Sequence, residues 1–538
     1  MGQPAAQVTG DEGSVRAAPT RAWRNLTWWA WIAVYVLAGV TLFFCYWRLS
    51  STQAVTSDGA ANALQAWDML HGNPLLRGWA LSDVSFYTTE LPEYMGMELI
   101  RGLGPDVVHA AAALTYTLLV LLTGLLARGG AKGREGLVRV LIASGIMVAP
   151  QLWPGTFILL LSPDHTGTQV PLLLTWLVLD RAPRRWYVPV IIAMMLAWVQ
   201  VADGITLITA TVPLALVCLV RISLGLMRRK PLISLWYEMS LAAAAAVSVG
   251  VASLTVRVVT WLGGYSVRPL IFQFAKLGAI PAQLKTTANG VLALYGASLS
   301  GLHPGVAAAF AVVHLAGLAL AGWAFGLALW RFFRLDDLVV QVLTVAIIIN
   351  LGAFAFSTLP GAAYSIRQIA AVLPLGAVLA GRLLAAKAVR LRLVPALGVV
   401  LACYMAALGY GVTQPAVPAQ DQDLANWLVT HHLTTGLGGV QANVITLDTG
   451  GRAQLLVTSF GWSGAAPDAY QSKASWYDRR LHYADFVITT EVNGAYSVPY
   501  RQVLADFGPP VRIYHFRDYA VMIWHKNLLA DLGAPRSQ

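Results

Sequence analysis

The stretch 26–68 decides the fold, with LTWWAWIAVYVLAGVTLFFCYW at 26–47 followed by TSDGAANALQAWD at 56–68. The first piece is apolar and has the length of about 20 residues that an α-helix needs to cross a bilayer. Asp58 follows about ten residues later, at the start of a segment with helical periodicity. A carboxylate in that place is predicted to lie at the boundary between membrane and water, which suits chemistry on a lipid-linked substrate.

The composition indicates a membrane protein. The chain has 538 residues, of which 57% are hydrophobic and 12% charged, whereas a soluble domain carries roughly 25% charged residues. So few charges cannot solvate a globular surface, and lipid must be the main solvent. The net charge of +11 comes from short connections that should attract anionic lipid headgroups. Because these residues form no continuous basic face, we expect no nucleic-acid partner.

Eleven apolar segments are candidate transmembrane helices, at 26–47, 107–127, 137–152, 170–179, 186–199, 205–220, 241–262, 306–330, 338–356, 369–384 and 393–412. Lys and Arg mark the cytoplasmic side of a membrane protein. Here they concentrate in alternate connections, such as 128–134, 181–185, 228–230 and 382–392. This pattern predicts a multi-pass protein of the cell membrane with a cytoplasmic amino terminus and an extracytoplasmic carboxyl tail.

Three regions follow from these patterns. Residues 1–22 are predicted to be a disordered cytoplasmic terminus, and residues 23–412 a transmembrane domain with long outer loops at 48–106 and 263–304. Loops of that length are usually functional or disordered. Residues 413–538 are predicted to form a separate outer α/β domain, because helical and strand patterns alternate there.

In this tail we predict helices at 421–433 and 500–507, and strands at 444–447, 454–459, 484–490, 511–516 and 519–524.

Asp58 is the first candidate for chemistry. It could act as a general base or as a metal ligand, but Ser57 and Asp58 are also residue types that cap the amino terminus of a helix. The segment 60–70 is predicted to be an amphipathic helix lying on the membrane surface.

Further acids are predicted on the same side of the membrane. Asp164 and His165 lie side by side at a membrane boundary, where ionisable groups are costly unless solvated or paired. They could form a supporting pair for Asp58, a metal site, or a cap of the following helix. Asp203 either extends this acidic cluster or caps the next helix.

Arg367 is the most informative cation, since it lies between two apolar segments on the predicted outer side. Its planar fork suits a lipid phosphate, although an Arg at a helix end can also extend its charge to the membrane surface. Arg268, Lys276 and Lys285 are weaker candidates for the same anion. In the tail, Trp476 and Tyr477 could bind a sugar or could pack where the tail meets the membrane domain.

Together these features resemble the GT-C class of integral membrane glycosyltransferases, which use polyprenyl-phosphate-linked sugars. The likeness rests on an acid soon after the first helix, surface helices, short helix pairs with outer acids, a late outer Arg and an outer carboxyl-terminal domain. Segment 58–79, with His71-Gly72-Asn73-Pro74, resembles the first loop of actinobacterial transferases of this class. The stretches 162–165, 366–382 and 446–452 fit the same resemblance.

The resemblance implies transfer of a sugar from an outward-facing polyprenyl phosphate to a hydroxyl group of a glycan, lipid or protein acceptor, with inversion. Asp58 would be the general base. Arg367, with or without a divalent cation such as Mg or Mn, would stabilise the phosphate that leaves.

One departure from the class concerns the acid next to Asp58. Many members carry two neighbouring acids in the first loop, whereas Gly59 and Ala60 follow Asp58 here. A second acid must therefore come from elsewhere, and Glu90, Glu93 and Asp164 are the candidates. A metal, if one is used, would be held by Asp58, Asp164 and His165.

Two other function classes remain open on the sequence. A transporter or flippase of envelope precursors would place ionisable residues near mid-membrane and show internal repeats, whereas the acids here cluster at one boundary. A non-catalytic scaffold with an outer binding domain would not need Asp58, Asp164 and Arg367 to converge.

Overall fold

The computed structural model describes residues 21–268, 273–361, 363–419, 421–461, 464–490 and 498–534. Most of the predicted terminus 1–22 lies outside these ranges, and the first helix begins at Arg21. The membrane part contains α1 Arg21–Ser50, α2 Ser57–Leu70, β1 Trp79–Ala80, α3 Glu90–Arg101, α4 Pro105–Arg128, α5 Gly133–Met147, α6 Gly155–Leu159, α7 Gln169–Arg181, α8 Tyr187–Ala202, α9 Val212–Met227, α10 Trp236–Trp261, α11 Ile280–Leu294, α12 Val306–Trp330, α13 Leu338–Ala355, α14 Val372–Arg390 and α15 Val394–Val412.

Each predicted transmembrane segment overlaps a helix. Within the described ranges, eight helical stretches are long and apolar enough to cross a membrane: α1, α4, α9 with the π-helical turn Leu207–Thr211 before it, α10 with the turn before it, and α12 to α15. Three predicted segments correspond to the shorter helices α5, α7 and α8, with 15, 13 and 16 residues. The chain is thus a polytopic helical membrane protein.

Burial separates inner helices from lipid-facing ones. α4 and α14 are mostly enclosed by their neighbours, with α4 packed against α1, α5, α7 and α14. α1 and α15 instead leave most of their apolar side chains uncovered, such as Leu37 at 68% exposure. Exposed apolar surface on this scale requires a non-aqueous solvent, so these faces lie against the lipid chains.

The helix α2 corrects two expectations. It does not lie on the membrane surface, because its small side chains, including Ala60, Ala63 and Ala66, are fully buried against α3, α4 and the tail. Its cap is neither Ser57 nor Asp58. Thr56 is the N-cap residue, and its hydroxyl accepts a hydrogen bond from the Gly59 backbone N–H at 3.5 Å. Asp58 is therefore free of the capping role and lies in the first turn.

The tail forms the predicted α/β domain. Its elements are α16 Gln422–Thr430, β2 Thr435–Gly438, α17 Ala442–Asp448, β3 Gln454–Gly461, β4 Gly464–Pro467, β5 Ser472–Lys473, β6 Phe486–Thr490, α18 Tyr500–Phe507, β7 Arg512–Phe516 and β8 Tyr519–Ile523. Six strands form one sheet in the order β4-β3-β2-β6-β8-β7, in which β2 runs parallel to both β3 and β6. The predicted strands at 454–459, 484–490, 511–516 and 519–524 and both predicted helices are present.

The strand predicted at 444–447 is wrong, since these residues lie inside α17. A short apolar run does not distinguish a buried strand from a buried helix. α17 is enclosed on every side, between α2 and the sheet, so that even Thr446 and Asp448 are buried and no polar face marks the helical period.

The tail packs against one face of the membrane domain, which we call the docking face. β1 pairs antiparallel with β5, so that Trp79 lies opposite Lys473 and Ala80 opposite Ser472. The Lys473 ammonium also contacts both carboxylate oxygens of Asp68, at 3.0 and 2.9 Å. This short pairing holds residues 470 and 471, just before β5, close to the start of α2.

Candidate functional site

A cavity of about 440 Å³ lies between the docking face and the tail. It is lined by charged and polar groups from segments far apart in sequence: Asp58, Ser82, Asp83, Phe86, Asp164, His165, Arg268, Tyr364, Ser365, Arg367, Gln368, Tyr470 and Gln471. The structure therefore brings together Asp58, Asp164 and Arg367, as the predicted chemistry requires. We call this space the acidic cavity.

Asp58 is the second residue of α2 and is partly exposed. The positive end of the helix dipole favours a negative charge in this first turn. Gln471 of the tail donates its side-chain N–H to Asp58 Oδ1 at 2.8 Å, which fixes the orientation of the carboxylate. One carboxylate oxygen is thus held by the tail while the group as a whole borders the cavity.

Asp164 is 3% exposed and has partners on both oxygens. The Asn62 amide donates to Oδ1 and the Ser162 hydroxyl to Oδ2, each at 2.8 Å, and Arg367 lies 3.4 Å from Oδ2. Burial raises the pKa of Asp164, while the Arg367 guanidinium acts in the opposite direction. These contacts give Asp164 a place in an ion pair rather than in a helix cap.

Arg367 belongs to the short 3-10 segment Ala363–Ile369 and is 5% exposed. Its Nη1 donates to the Ser162 hydroxyl at 3.2 Å and to Asp164. Its Nε and Nη2 have no hydrogen-bond partner in the described part of the chain. Buried donors are normally satisfied, so the free edge of this guanidinium is suited to an anion that enters the cavity.

His165 and Asp203 form a second polar pair. His165 has a φ of +60°, a conformation that is uncommon for residues other than Gly and costs energy. Its Nδ1 lies 2.7 Å from Asp203 Oδ2. Burial alone would lower the pKa of His165, but the carboxylates of Asp203, Asp83 and Asp164 together outweigh this effect and the pKa rises to about 9. Since Asp203 Oδ1 also accepts from the Ile205 N–H at 2.9 Å, it both pairs with His165 and caps the next turn.

Glu90 and Glu93 are not among the described residues that line the cavity. Glu90 is fully buried behind the wall, where Oε1 accepts from the backbone N–H and hydroxyl of Thr168 at 2.8 and 2.7 Å. Glu93 accepts from the Thr115 hydroxyl. Burial raises the pKa of both carboxyls to about 8. Of the three candidates for a second acid, Asp164 lines the same cavity as Asp58, and so does Asp83.

Three other predicted residues lie elsewhere. Lys276 is exposed just before α11 and does not border the cavity. Trp476 packs against Trp79 at a ring separation of 4.9 Å, and the Tyr477 hydroxyl donates to the Val457 carbonyl. Of the two interpretations for Trp476 and Tyr477, these contacts match packing at the junction.

Sequence reasoning did not single out Asp83, Tyr470 or Gln471 as site residues. Asp83 was one acid among seven in the loop 48–106, and nothing local separates it from the others. Burial raises its pKa, although His165 nearby lowers it. Tyr470 and Gln471 directly precede β5, which pairs with β1, and a pairing of two residues leaves no sequence pattern.

The candidate metal ligands do not form a metal site as they stand. Among the described residues, no group of three or more His, Cys, Asp or Glu side chains is placed to hold a metal ion. Asp58, Asp164 and His165 border the same cavity, but each already has a partner: Gln471, Arg367 and Asp203 respectively.

Comparison with known proteins supports the fold. No protein-family model and no curated protein matches the chain. The crystal structure of ArnT from Cupriavidus metallidurans bound to undecaprenyl phosphate is similar, with a TM-score of 0.54 and 13% identity over 94% of this chain and 99% of ArnT. The apo form of ArnT gives 0.51 and 14% over the same shares. The chain has the GT-C fold.

Proposed function

We propose that this GT-C chain is a membrane glycosyltransferase that moves a sugar from a polyprenyl-phosphate donor to a hydroxyl acceptor in a cell-envelope glycan, lipid or protein. The observation that carries the proposal is the buried Arg367, which lines the same cavity as Asp58 and whose Nε and Nη2 have no hydrogen-bond partner among the described residues. An anion-binding group and a carboxylate base at a membrane boundary are what transfer from a lipid phosphate requires.

The donor phosphate is assigned to Arg367. Two parallel N–H groups of a guanidinium match the oxygens of a phosphate, and Nε and Nη2 are the pair left without partners. Because Arg367 is buried, its interaction with an anion is stronger than that of an arginine at the surface. The similarity to an ArnT structure that contains undecaprenyl phosphate supports the same class of donor.

The reaction is a single displacement. Asp58 accepts the proton of the acceptor hydroxyl as that oxygen attacks the anomeric carbon of the donor sugar. The new bond between acceptor oxygen and anomeric carbon forms as the bond from that carbon to the phosphate oxygen breaks, with inversion. The electron pair stays on the departing polyprenyl phosphate, whose charge is stabilised by Arg367 and by protonated His165.

The remaining polar groups position these residues. Asp164 holds Arg367 from the side opposite the free N–H groups, and Gln471 orients Asp58. Glu90 accepts hydrogen bonds from the backbone N–H and the hydroxyl of Thr168, a few residues after Asp164 and His165. Arg268 adds positive charge at the cavity wall.

In this proposal the docking face is extracytoplasmic and the amino terminus cytoplasmic, in the cell membrane. The basic connections between helices support that orientation through the preference of Lys and Arg for the cytoplasmic side. A tag at the carboxyl end that reacts only from the cytoplasm would contradict it.

Asp58→Asn tests the chemistry while keeping the shape of the side chain. Release of polyprenyl phosphate from a labelled polyprenyl-phosphate sugar, measured in membranes that contain the acceptor, should fall about 10²- to 10⁴-fold, the usual contribution of a general base. Asp423→Asn, on an exposed carboxylate of α16, is the matched control and should keep full turnover. Unchanged turnover in Asp58→Asn would remove Asp58 as the base.

A further inference from the structure

A second cavity, of about 280 Å³, lies where the ends of α1 and α4 on the docking face meet the tail. Its walls come from 51–55 after α1, from the first turn of α4, from the connection 416–419 and from α17. It shares no described lining residue with the acidic cavity. We call it the junction cavity.

Asp448, the last residue of α17, lines the junction cavity and is 7% exposed. Neither of its carboxylate oxygens has a hydrogen-bond partner among the residues that the structure describes. A buried charge without donors costs several kcal/mol as an order of magnitude. The carboxyl end of a helix is also unfavourable for a negative charge. Burial and the nearby Asp421 raise the pKa of Asp448 to about 7, so a large part of the group is ionised at neutral pH.

The described side chains around Asp448 offer it no positively charged partner. Asp106, at the mouth, is paired with Arg101 at 2.8 Å, and His109 shares a hydrogen bond with the Ser50 hydroxyl at 2.9 Å. The described residues that line the cavity include no Lys and no Arg. A hydroxyl ligand could donate to Asp448 but would leave its charge uncompensated. An ammonium group supplies three donors and the opposite charge together.

We propose that the junction cavity is a ligand site that binds a primary ammonium group on the carboxylate of Asp448. The site lies level with the end of α1 at Ser50 and the start of α4 at Pro105. Both helices are long and apolar enough to cross a membrane, so we expect their ends to lie at the depth of lipid headgroups. The ammonium could therefore belong to an ethanolamine headgroup or to a free amine. Nothing in this site depends on the proposed transferase reaction.

The experiment uses the full chain in nanodiscs of phosphatidylcholine, whose quaternary ammonium has no N–H donor. One arm adds free ethanolamine, a second replaces part of the lipid by phosphatidylethanolamine, and tetramethylammonium at equal ionic strength is the control. Thermal unfolding midpoints report binding, because a ligand that binds only the folded state stabilises it. We expect a rise in the midpoint with primary amines and none with tetramethylammonium.

Asp448→Asn should weaken the apparent affinity about tenfold or more, in line with a charged hydrogen bond, whereas the exposed Asp423→Asn should bind as the wild type does. A rise in the lipid arm alone identifies the headgroup as the source, and a rise in both arms shows that a free amine suffices. No rise in either arm, or an equal rise in Asp448→Asn, overturns the proposal.

A measurement on the wild-type chain covers the case in which Asp448→Asn does not fold. A carboxyl with a pKa of about 7 gains charge between pH 6 and 8, while a primary amine stays protonated there. Ethanolamine binding should therefore strengthen across that range. Binding that does not change with pH would contradict a role for Asp448.

Discussion

At the scale of the residue, two buried arginines differ in how fully their guanidinium N–H groups are paired. Arg382 is 7% exposed, and its guanidinium donates to the Leu126 carbonyl and contacts the carboxylates of Asp180 and Asp337 at 2.6 and 2.8 Å. Arg367 is buried to a similar degree but leaves Nε and Nη2 without partners within the described ranges. The unsatisfied edge, rather than burial or charge, is the reason we propose Arg367 as the residue that binds the donor phosphate.

Arg367→Lys should distinguish the contribution of the planar guanidinium from that of the positive charge alone. Lysine can keep a positive charge near Asp164, but it is a point charge that cannot bind two phosphate oxygens in parallel. We expect kcat/KM for the polyprenyl-phosphate donor to fall about 10- to 100-fold, equivalent to about 1.4–2.7 kcal/mol of transition-state binding.

The control for this change is Arg268→Lys, which alters a more exposed cation at the same cavity. It should cost about threefold or less, since exposed charge pairs contribute little. An equal loss in both variants would mean that general positive charge, rather than the Arg367 fork, holds the donor.

Charged residues at the ends of apolar segments could be predicted from the sequence, because a membrane makes them conspicuous. Asp58, Asp164, His165, Asp203, Arg268 and Arg367 were all identified in this way, and every one except Asp203 lines the acidic cavity. Residues that tertiary contacts bring to the site could not be predicted from the sequence. Gln471, for example, donates to Asp58 from 413 positions away.

At the scale of the element, Gly59 explains why no acid follows Asp58. A Cβ at this position would lie 2.8 Å from Cγ1 of Val108 on α4 and 3.4 Å from the Ser162 side chain. Any side chain here would push α2 away from α4. The close approach of α2 therefore excludes a second acid at position 59, and Asp164 borders the same cavity from another segment.

Gly59→Ala should consequently destabilise the chain, by about 1–3 kcal/mol as is usual for overpacking, and displace Asp58 in the adjacent position. Gly96→Ala is the control, because Gly96 lies inside α3 and a Cβ there meets nothing within 4 Å. That change should be neutral or stabilising, by roughly 0.4–1 kcal/mol.

Thermal unfolding of Gly59→Ala, Gly96→Ala and the double variant Gly59→Ala/Val108→Ala measures the cost of the contact between a Cβ at position 59 and Val108. The double variant removes the methyl group that the new Cβ meets, so it should recover part of the loss. A Gly59→Ala chain as stable as the wild type would show that α2 can move without cost.

The secondary structure of the tail shows where element prediction stops. For strands with one polar edge or clear turn signals, the predicted ends lie within two residues of the observed ends, as at 454–459 and 519–524. The error at 444–447 arose because α17 is buried on every side, so that no exposed polar face marks its helical period. Its environment, between α2 and the sheet, exists only after the two parts of the chain have met.

At the scale of the whole molecule, the acidic cavity is a product of domain docking. The membrane domain supplies Asp58 and Arg367, while the tail supplies Tyr470 and Gln471. The contacts that join the two parts therefore also determine the position of the carboxylate. Asp68 is central to them, because it accepts from Trp79 Nε1 at 2.7 Å and from Asn73 at 2.6 Å besides pairing with Lys473.

Lys473→Met should weaken this docking. It leaves the Asp68 carboxylate, which is 23% exposed, without its counter-charge, at an expected cost of about 1–2 kcal/mol after allowance for partial solvent screening. Backbone N–H groups of β5 should exchange with deuterium faster, while those of the distant β8 should not change. Adding Asp68→Asn to this variant should recover part of the stability, because an amide can still accept from Trp79 without leaving a charge unpaired. If Lys473→Met alone leaves both the unfolding midpoint and β5 exchange unchanged, the salt bridge does not hold the tail, and the β1–β5 pairing must position Gln471 alone.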